Sequence, residues 1–296
     1  MTAARHATQA GFQLRFSSVD PEALAGLPCG KLTNASMTSS GLLTVVLMAL
    51  IYGTSWAFSG RADGPGPVVW RYLTAFDRIP IFIALLTLWT LAILAVKAWK
   101  IHAQRRALEV SFMPRDPMWV LNGETADAVI ARLATMVEEP ERFMYLRRCL
   151  GVLRTMRNIG RVADAEELFE SRAGADEAVV DGGYTAVKAF IWGIPVLGFI
   201  GTVLGLTEAT GNFGRVLADP EMKRDLEALA SGLTDVLGGL DTAFVTTAEG
   251  LVAAFVLYMA QMLVKQQDER LLDDVREACS TNVVTRVRVS EAREVR

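Results

Sequence analysis

One apolar stretch, residues 188–206, most constrains what this chain can fold into. Its sequence, KAFIWGIPVLGFIGTVLGL, has no charge after its first residue and is close to the ~20 residues that a membrane-crossing helix requires. On a helical wheel, one arc collects Pro195 with the small residues, and bulky residues occupy the opposite arc. A helix surrounded only by lipid has no use for such a small-residue face. The stretch therefore predicts a membrane helix with a close protein neighbour.

Three other stretches are also apolar enough to form membrane helices. Hydrophobic residues make up 51% of the 296 residues, and the mean hydropathy of +0.29 is high for a soluble protein. Together with the first stretch they predict an all-α membrane protein with four transmembrane helices, at residues 41–58, 79–99, 184–207 and 240–264.

The sequence changes character between the second and third predicted membrane helices. Residues 100–183 are rich in charged helix formers and predict a small cytoplasmic helical domain. Within this domain the apolar periodicity favours helices at 124–137, 141–157 and 162–172, and Pro140 suits the first turn of the second one.

The remaining segments are tails and connectors. Residues 1–40 lack a sustained period and predict a mobile N-terminal tail, with Met37 as an alternative start of the protein. Glycine and proline at 64–67 break any helix in the connector at 59–78. The connector at 208–239 is predicted to be periplasmic with a helix at 221–237, and residues 271–296 are predicted to be a cytoplasmic C-terminal tail.

Basic residues beside the membrane helices predict their orientation, because such residues are retained on the cytoplasmic side. Seven lie near the ends that adjoin residues 100–183 and 265–296, whereas six in the opposite connectors lie mostly farther from the helices. The first group is Lys97, Lys100, Arg105, Arg106, Lys188, Lys265 and Arg270, and the second is Arg61, Arg71, Arg78, Arg215, Lys223 and Arg224. Both termini are therefore predicted to be cytoplasmic, with Lys97 and Lys100 extending toward lipid headgroups.

Several functional classes have little support in the sequence. The three cysteines, Cys29, Cys149 and Cys279, are far apart and form no CxxC motif, and the two histidines lie outside any cluster of ligands. These features argue against a metal site. The net charge of −3 and the lack of a basic–aromatic cluster argue against nucleic-acid binding. HExxH, GxSxG and phosphate-loop motifs are missing, so no enzyme and no cofactor are predicted.

The fourth predicted membrane helix divides into two faces in the same way as the third. Small and hydroxyl-bearing residues, among them Thr246, Thr247 and Gly250, lie on adjoining stripes of one half, and bulky residues fill the other. Glu249 lies among the small residues. An ionisable group inside a membrane helix costs about 2.5–3.5 kcal/mol, so its presence there favours a functional role.

Two motifs in these helices resemble the MotA/TolQ/ExbB proton-channel family. The first is GFIGTVLGL at 198–206 and the second is TAFVTTAEGLVAAFVLY at 242–258, in the family's order and spacing. The resemblance covers residues 184–270. Thr202 then matches the pore-facing threonine of the first motif, and Thr247 matches the threonine of the second.

The resemblance implies a subunit that forms the pore of a proton-driven or sodium-driven motor in the bacterial inner membrane. Such a subunit assembles as a homopentamer around a dimer of a single-span partner of the MotB/TolR/ExbD kind, whose helix carries a titrating aspartate. The coupling ion would move that partner. Pro195 matches a proline of the flagellar stator branch, whereas Glu249 stands where the family usually has an apolar residue.

Two interpretations of the small-residue faces stay open at the level of sequence. In the first they form an ion path lined by Thr202, Thr247, Thr246 and Glu249. Helix packing and a kink are then assigned to Pro195, Gly198, Gly201, Gly205 and Gly250. In the second, the protein is a non-conducting membrane scaffold, and the same faces are packing seams and nothing more.

Overall fold

The computed structural model describes residues 14–58, 78–114, 119–123, 125–156, 162–218 and 226–286. The predicted connector at 59–78 lies almost entirely outside the described residues, as do the first part of the predicted helix at 221–237 and both chain ends. The chain forms two compact units. Residues 1–39, 94–184 and 263–296 make up the first unit, and residues 40–93 and 185–262 make up the second.

Helices dominate the described part of the chain. In chain order the elements are β1 (Leu14–Arg15), α1 (Phe16–Val19), α2 (Pro21–Leu24), α3 (Met37–Phe58), α4 (Arg78–Arg105), α5 (Thr125–Met136), β2 (Val137–Glu138), α6 (Met144–Thr155), α7 (Val162–Gly182), α8 (Thr185–Ala218) and α9 (Leu226–Asn282). The strands β1 and β2 pair in parallel over two residues each, which the all-α prediction does not include.

Among the residues that the structure describes, four helices are long and apolar enough to cross a membrane, as the sequence predicts: α3, α4, α8 and α9. Each of them is longer than the predicted membrane segment. The largest difference concerns α9, which is continuous from Leu226, whereas a separate helix at 221–237 was predicted before the membrane segment. Gly238 and Gly239 do not interrupt it, because Gly239 packs closely against α8 at Gly205 and Ala209.

The second unit is built from the apolar parts of these four helices. Its core contains Ile83 of α4, Ile194 of α8, and Ala254 and Leu257 of α9. The indole nitrogen of Trp89 donates a 3.2 Å hydrogen bond to the hydroxyl of Ser40, which ties α4 to α3. The unit is therefore held by apolar packing and a few uncharged hydrogen bonds.

The bulky faces that the wheel predicted on α8 and α9 point outward from this unit. Trp192 and Phe199 on α8 are 74% and 64% exposed, and Phe244 and Phe255 on α9 are 67% and 65% exposed. Large apolar side chains on a membrane helix suit contact with lipid or with a neighbouring subunit.

The first unit contains α5, α6 and α7, which correspond to the three helices predicted within residues 100–183. The central helix α6 is almost completely buried and begins at Met144, later than predicted. Its first N–H donates to the side-chain oxygen of Gln104 at 2.8 Å, and residues Pro140–Arg142 form a 3₁₀ turn instead. Arg148, buried on α6, donates to Asp176 of α7 at 2.6 Å. That contact lies beyond the predicted end of α7 at residue 172.

The N-terminal and C-terminal segments of the first unit carry more structure than was predicted. Residues 14–36, expected to be a mobile tail, contain β1, α1 and α2 and bury Asp20 and Glu22. At the other end, α9 continues to Asn282, whose amide donates to the hydroxyl of Tyr145 at 3.0 Å. Specific polar contacts order both segments, and composition alone does not reveal such contacts.

Lys97 and Lys100 also differ from their prediction. Their side chains are 0% and 1% exposed and pair with carboxylates inside the first unit, so neither extends toward lipid headgroups. A buried carboxylate offers an ammonium group a stronger interaction than hydrated headgroups do. Without these two lysines, five basic residues on one side face six on the other. Basic residues beside the membrane helices then no longer favour one side.

Candidate functional site: the seam between α8 and α9

The candidate site lies where α8 and α9 pack against each other within the second unit. Their small residues face one another along this seam. A methyl group added at Gly205 would lie 2.7 Å from the carbonyl oxygen of Gly239, and one added at Gly198 would lie 2.9 Å from that of Thr246. Backbones can approach this closely only where one of them lacks a side chain.

The same close approach occurs near Pro195. A methyl group at Gly250 would lie 3.0 Å from the carbonyl oxygen of Ile194 and 3.5 Å from the Cα atom of Pro195. Because proline has no N–H, the carbonyl of Ile191 loses its donor in the helix, yet α8 continues through this position. Pro195, predicted as a kink point, therefore lies at a contact between the two helices.

The two threonines of the predicted ion path meet in the middle of the seam. The hydroxyl groups of Thr202 and Thr247 hydrogen-bond to each other, and both residues are half-buried. Thr202 also lies 3.1 Å from the carbonyl oxygen of Ala243, and Thr247 lies 3.3 Å from that of Gly198. Each hydroxyl therefore has acceptors on both helices.

Thr246 and Glu249, the other two predicted path residues, occupy different surroundings. Thr246 is 1% exposed and donates to the carbonyl of Ala243 at 3.1 Å. Its side chain fills the space above Gly201, where an added methyl group would lie 2.8 Å from its Cβ atom. Glu249 is half-buried, one turn farther along α9, with its Oε2 atom fully buried.

Sequence reasoning missed two parts of this site. The carbonyl oxygen of Ala243 lies within 3.2 Å of three threonine hydroxyls, an arrangement that only the structure reveals. The seam also extends to Gly239 and Gly232, which pack against Ala209 and Val216. Gly232, Gly239 and Thr246 are seven residues apart, a helical spacing that would have predicted one continuous face.

The seam can supply hydrogen bonds without supplying charge. A hydroxyl both donates and accepts, so the pair formed by Thr202 and Thr247 can exchange partners with a passing polar group. No residue from 189 to 207 is charged, and Glu249 is the only charged residue from 242 to 264. A carboxylate on a neighbouring helix would therefore meet hydroxyls and backbone carbonyls here.

One cluster with possible metal ligands lies elsewhere, in the first unit. Ligand atoms of Asp20, Glu22 and Cys29 lie within 4.8 Å of one another. The ammonium group of Lys100 lies 2.5 Å from Glu22 and 3.4 Å from Asp20. A lysine therefore provides the positive charge that a metal ion would bring.

Comparison with known proteins identifies the region that contains the seam. Residues 152–277 match the profile of the MotA/TolQ/ExbB proton channel family, so the predicted resemblance is confirmed and reaches farther into the helical domain than expected. No curated protein and no solved structure matches the chain. The four apolar helices and this match make the chain a multi-pass membrane protein. Over residues 152–277, the chain is therefore similar to the MotA/TolQ/ExbB proton channel family.

Proposed function

We propose that this protein is the pore-forming subunit of an ion-driven motor in the bacterial inner membrane. A proton, or alternatively a sodium ion, passes along the seam and moves a dimer of a single-span partner of the MotB/TolR/ExbD kind. The partner's membrane helix carries the titrating aspartate. Five copies of the subunit surround the partner dimer, with both termini and the helical domain in the cytoplasm, and the subunit itself catalyses no reaction.

The hydroxyl pair of Thr202 and Thr247 is the observation that carries this proposal. The two residues come from the two motifs of the family, 45 positions apart, and their hydroxyls contact each other. Both remain half-buried, so the pair is not sealed inside the helix contact. A titrating carboxylate that moves past such a surface can be hydrogen-bonded in its charged and its neutral form.

The glycine contacts support a second candidate, the non-conducting scaffold. Gly198, Gly205 and Gly250 are used in packing between two helices of the same chain, which requires no ion. The glycines therefore fit both functions, since close packing also brings the threonines together. Only the threonine hydroxyls distinguish a conducting seam from a structural one.

The decisive experiment replaces those hydroxyls by methyl groups of similar size. The full chain, co-purified with its single-span partner, is reconstituted into liposomes, and ion uptake is followed with a pH-sensitive dye for protons and a sodium-sensitive dye for sodium. Thr202→Val and Thr247→Val should each lower uptake by about tenfold, the factor that corresponds to about 1.4 kcal/mol. Thr202→Ser retains the hydroxyl and should restore most of the uptake.

Thr207→Val is the matched control for this experiment. Thr207 is exposed on α8 and its hydroxyl donates to the carbonyl of Val203, in its own helix, at 2.7 Å. Its replacement should leave uptake unchanged. Parental uptake in both Thr202→Val and Thr247→Val would favour the scaffold instead.

Three further measurements test the details of the proposal. Native mass spectrometry of the complex should give five subunits with two partners, and a monomer or simple dimer would contradict that assembly. Replacement of sodium by choline should leave uptake unchanged for a proton-driven motor and abolish it for a sodium-driven one. Glu249→Gln removes one charge at constant shape, and unchanged uptake in this variant would exclude Glu249 from the path.

A further inference from the structure

The first unit contains a segment with no place in the ion path, the N-terminal strap, defined as residues 20–39. Most of its contacts involve Glu22, which is 2% exposed and accepts hydrogen bonds at both carboxylate oxygens. Glu22 accepts hydrogen bonds from Lys100 at 2.5 Å, from the backbone N–H groups of Gly30 and Ser36 at 2.6 and 2.7 Å, and from the hydroxyl of Ser39. The strap is therefore folded around one carboxylate.

Lys100 holds the strap against the end of α4. Besides Glu22, its ammonium group contacts Asp20 at 3.4 Å and the carbonyl oxygen of Asn34 at 3.1 Å. Lys100 is 1% exposed. The contact thus buries a positive charge whose compensation comes from the strap.

The strap also reaches the segment that precedes α8. The side chain of Asn34 accepts a hydrogen bond from Lys97 at 2.9 Å and donates one to the carbonyl of Val179 at 2.7 Å. Gly183 packs directly against this side chain, and a methyl group there would collide with it. Asn34 therefore joins α4 to the end of α7.

Lys97 connects the strap to the two helices that carry the seam threonines. Its ammonium group lies 3.1 Å from Asp268 of α9 and 4.2 Å above the ring of Tyr184, which stands directly before α8. The hydroxyl of Tyr184 donates to the same oxygen of Asp268 at 2.7 Å. The other oxygen of Asp268 is buried and accepts no hydrogen bond from the described residues. Asp268 thus depends on Lys97 and Tyr184 for its compensation.

We propose that the N-terminal strap is a latch. Through Lys97 it holds Tyr184, directly before α8, and the part of α9 around Asp268 in place, and ion movement requires the latch to be closed. This inference rests on the proposed function. Lys97 acts as a positioning residue, since it contacts no ion path itself. Release of the strap removes Asn34 from Lys97, loosens the ion pair with Asp268, and frees Tyr184 at the beginning of α8.

Cys29 provides a native reporter of the strap. It is the half-buried cysteine of the three, since Cys149 and Cys279 are buried to 0% and 2% exposure. Burial raises the pKa of the Cys29 thiol above its ordinary value, with a smaller contribution from the nearby charge of Asp20. Opening of the strap should therefore increase the rate at which a maleimide labels Cys29, because both exposure and the thiolate fraction rise.

The experiment measures Cys29 labelling and ion uptake on the same reconstituted complex. Lys97→Met and Asn34→Leu should each raise the labelling rate by about tenfold, through greater exposure and a larger thiolate fraction, and lower ion uptake severalfold. Lys31→Met is the matched control, because Lys31 is an exposed lysine of the same strap. It should change neither quantity. If Lys97→Met fails to fold, Asn34→Leu and the double variant Lys97→Met/Asp268→Asn carry the test.

Two results would overturn the latch. One is labelling in Lys97→Met and Asn34→Leu at the rate of Lys31→Met, and the other is rapid labelling together with parental ion uptake. A parent complex without ion uptake defeats the proposed function separately, and the labelling rates then still decide whether Lys97 holds the strap. Thr202→Val should slow uptake without changing the labelling of Cys29, which separates loss of the path from loss of the latch.

Discussion

The seam of the second unit and the strap junction of the first unit hold membrane helices by opposite chemistry. The strap junction is the set of contacts that Lys97 and Lys100 make with the strap and with Asp268 and Tyr184. Along the seam, glycines bring the backbones of α8 and α9 together, and uncharged hydroxyls such as that of Thr202 bond across them. At the junction, Lys97 and Lys100 are buried among carboxylates, amides and an aromatic ring. The first surface carries no charge apart from Glu249, whereas the second is held by buried charges.

This difference in chemistry indicates which part of the molecule can move during ion transport. A hydroxyl can rotate between acceptors, and an uncharged hydrogen bond contributes only about 0.5–1.5 kcal/mol, so a passing group can replace it. A buried ammonium group that loses its carboxylate incurs a much larger cost. Working motion is therefore expected along the seam, and the junction is expected to stay fixed while it occurs.

The largest predicted effect comes from removing a buried charge at the strap junction. Lys97→Met should destabilise the protein by about 3–5 kcal/mol, because it leaves Asp268 buried without its cation. The double variant Lys97→Met/Asp268→Asn removes both charges and should be clearly more stable than Lys97→Met alone. Thermal unfolding in detergent of the parent, both single variants and the double variant gives the coupling energy. Additive effects of the two changes would contradict a direct buried ion pair.

A smaller effect is expected on the uncharged side. Gly205→Ala places a methyl group 2.7 Å from the carbonyl oxygen of Gly239 and should cost about 1–3 kcal/mol, since the two backbones must separate. Gly193→Ala is the matched control in the same helix. Nothing lies within 4 Å of the added methyl group there, so the change should be neutral or stabilise α8 by up to about 1 kcal/mol. Equal unfolding temperatures for the two variants would show that the seam is looser than described.

The seam was largely predictable from the sequence, and the reason is geometric. Small residues at helical spacing, from Gly198 to Gly205, lie on one side of any helix that contains them. The partner face around Thr247 shows the same period, so pairing the two helices required no knowledge of tertiary structure. The family resemblance predicted that Thr202 and Thr247 line one path, and in the structure their hydroxyls contact each other.

The junction was not predictable in the same way. Lys100 and Glu22 are 78 positions apart, and neither lies in a periodic pattern that would predict their contact. Lysines at the end of an apolar helix usually extend toward headgroups, and the prediction for Lys97 and Lys100 followed that rule. It failed because Asp20 and Glu22, before the first membrane helix, supply carboxylates to Lys100, and Asp268 of α9 supplies one to Lys97. Composition identified those residues as polar and could not show where their charges would be used.

The smallest predicted effect concerns the pH dependence of the strap. Burial alone would raise the pKa of Glu22. Hydrogen bonds from Lys100, Ser39, Gly30 and Ser36 lower it by more than burial raises it, so the pKa lies below the ordinary value of 4.5. A carboxyl group with a depressed pKa in the folded protein contributes stability that is complete above pH 4.5 and is lost as the pH falls through the folded pKa. Glu22→Gln lacks this contribution at every pH.

The parent should therefore unfold at a higher temperature than Glu22→Gln at neutral pH, and the two should converge as the pH is lowered below 4.5 and through the folded pKa of Glu22. The other carboxylates titrate in both proteins, so their effects largely cancel in the difference. The gap should be smaller than that for Lys97→Met, because Lys100 keeps Asp20 and two carbonyl oxygens when Glu22 is neutral. A gap that is constant across this range would mean that the charge of Glu22 does not hold the strap, and that its hydrogen-bonding shape alone is sufficient.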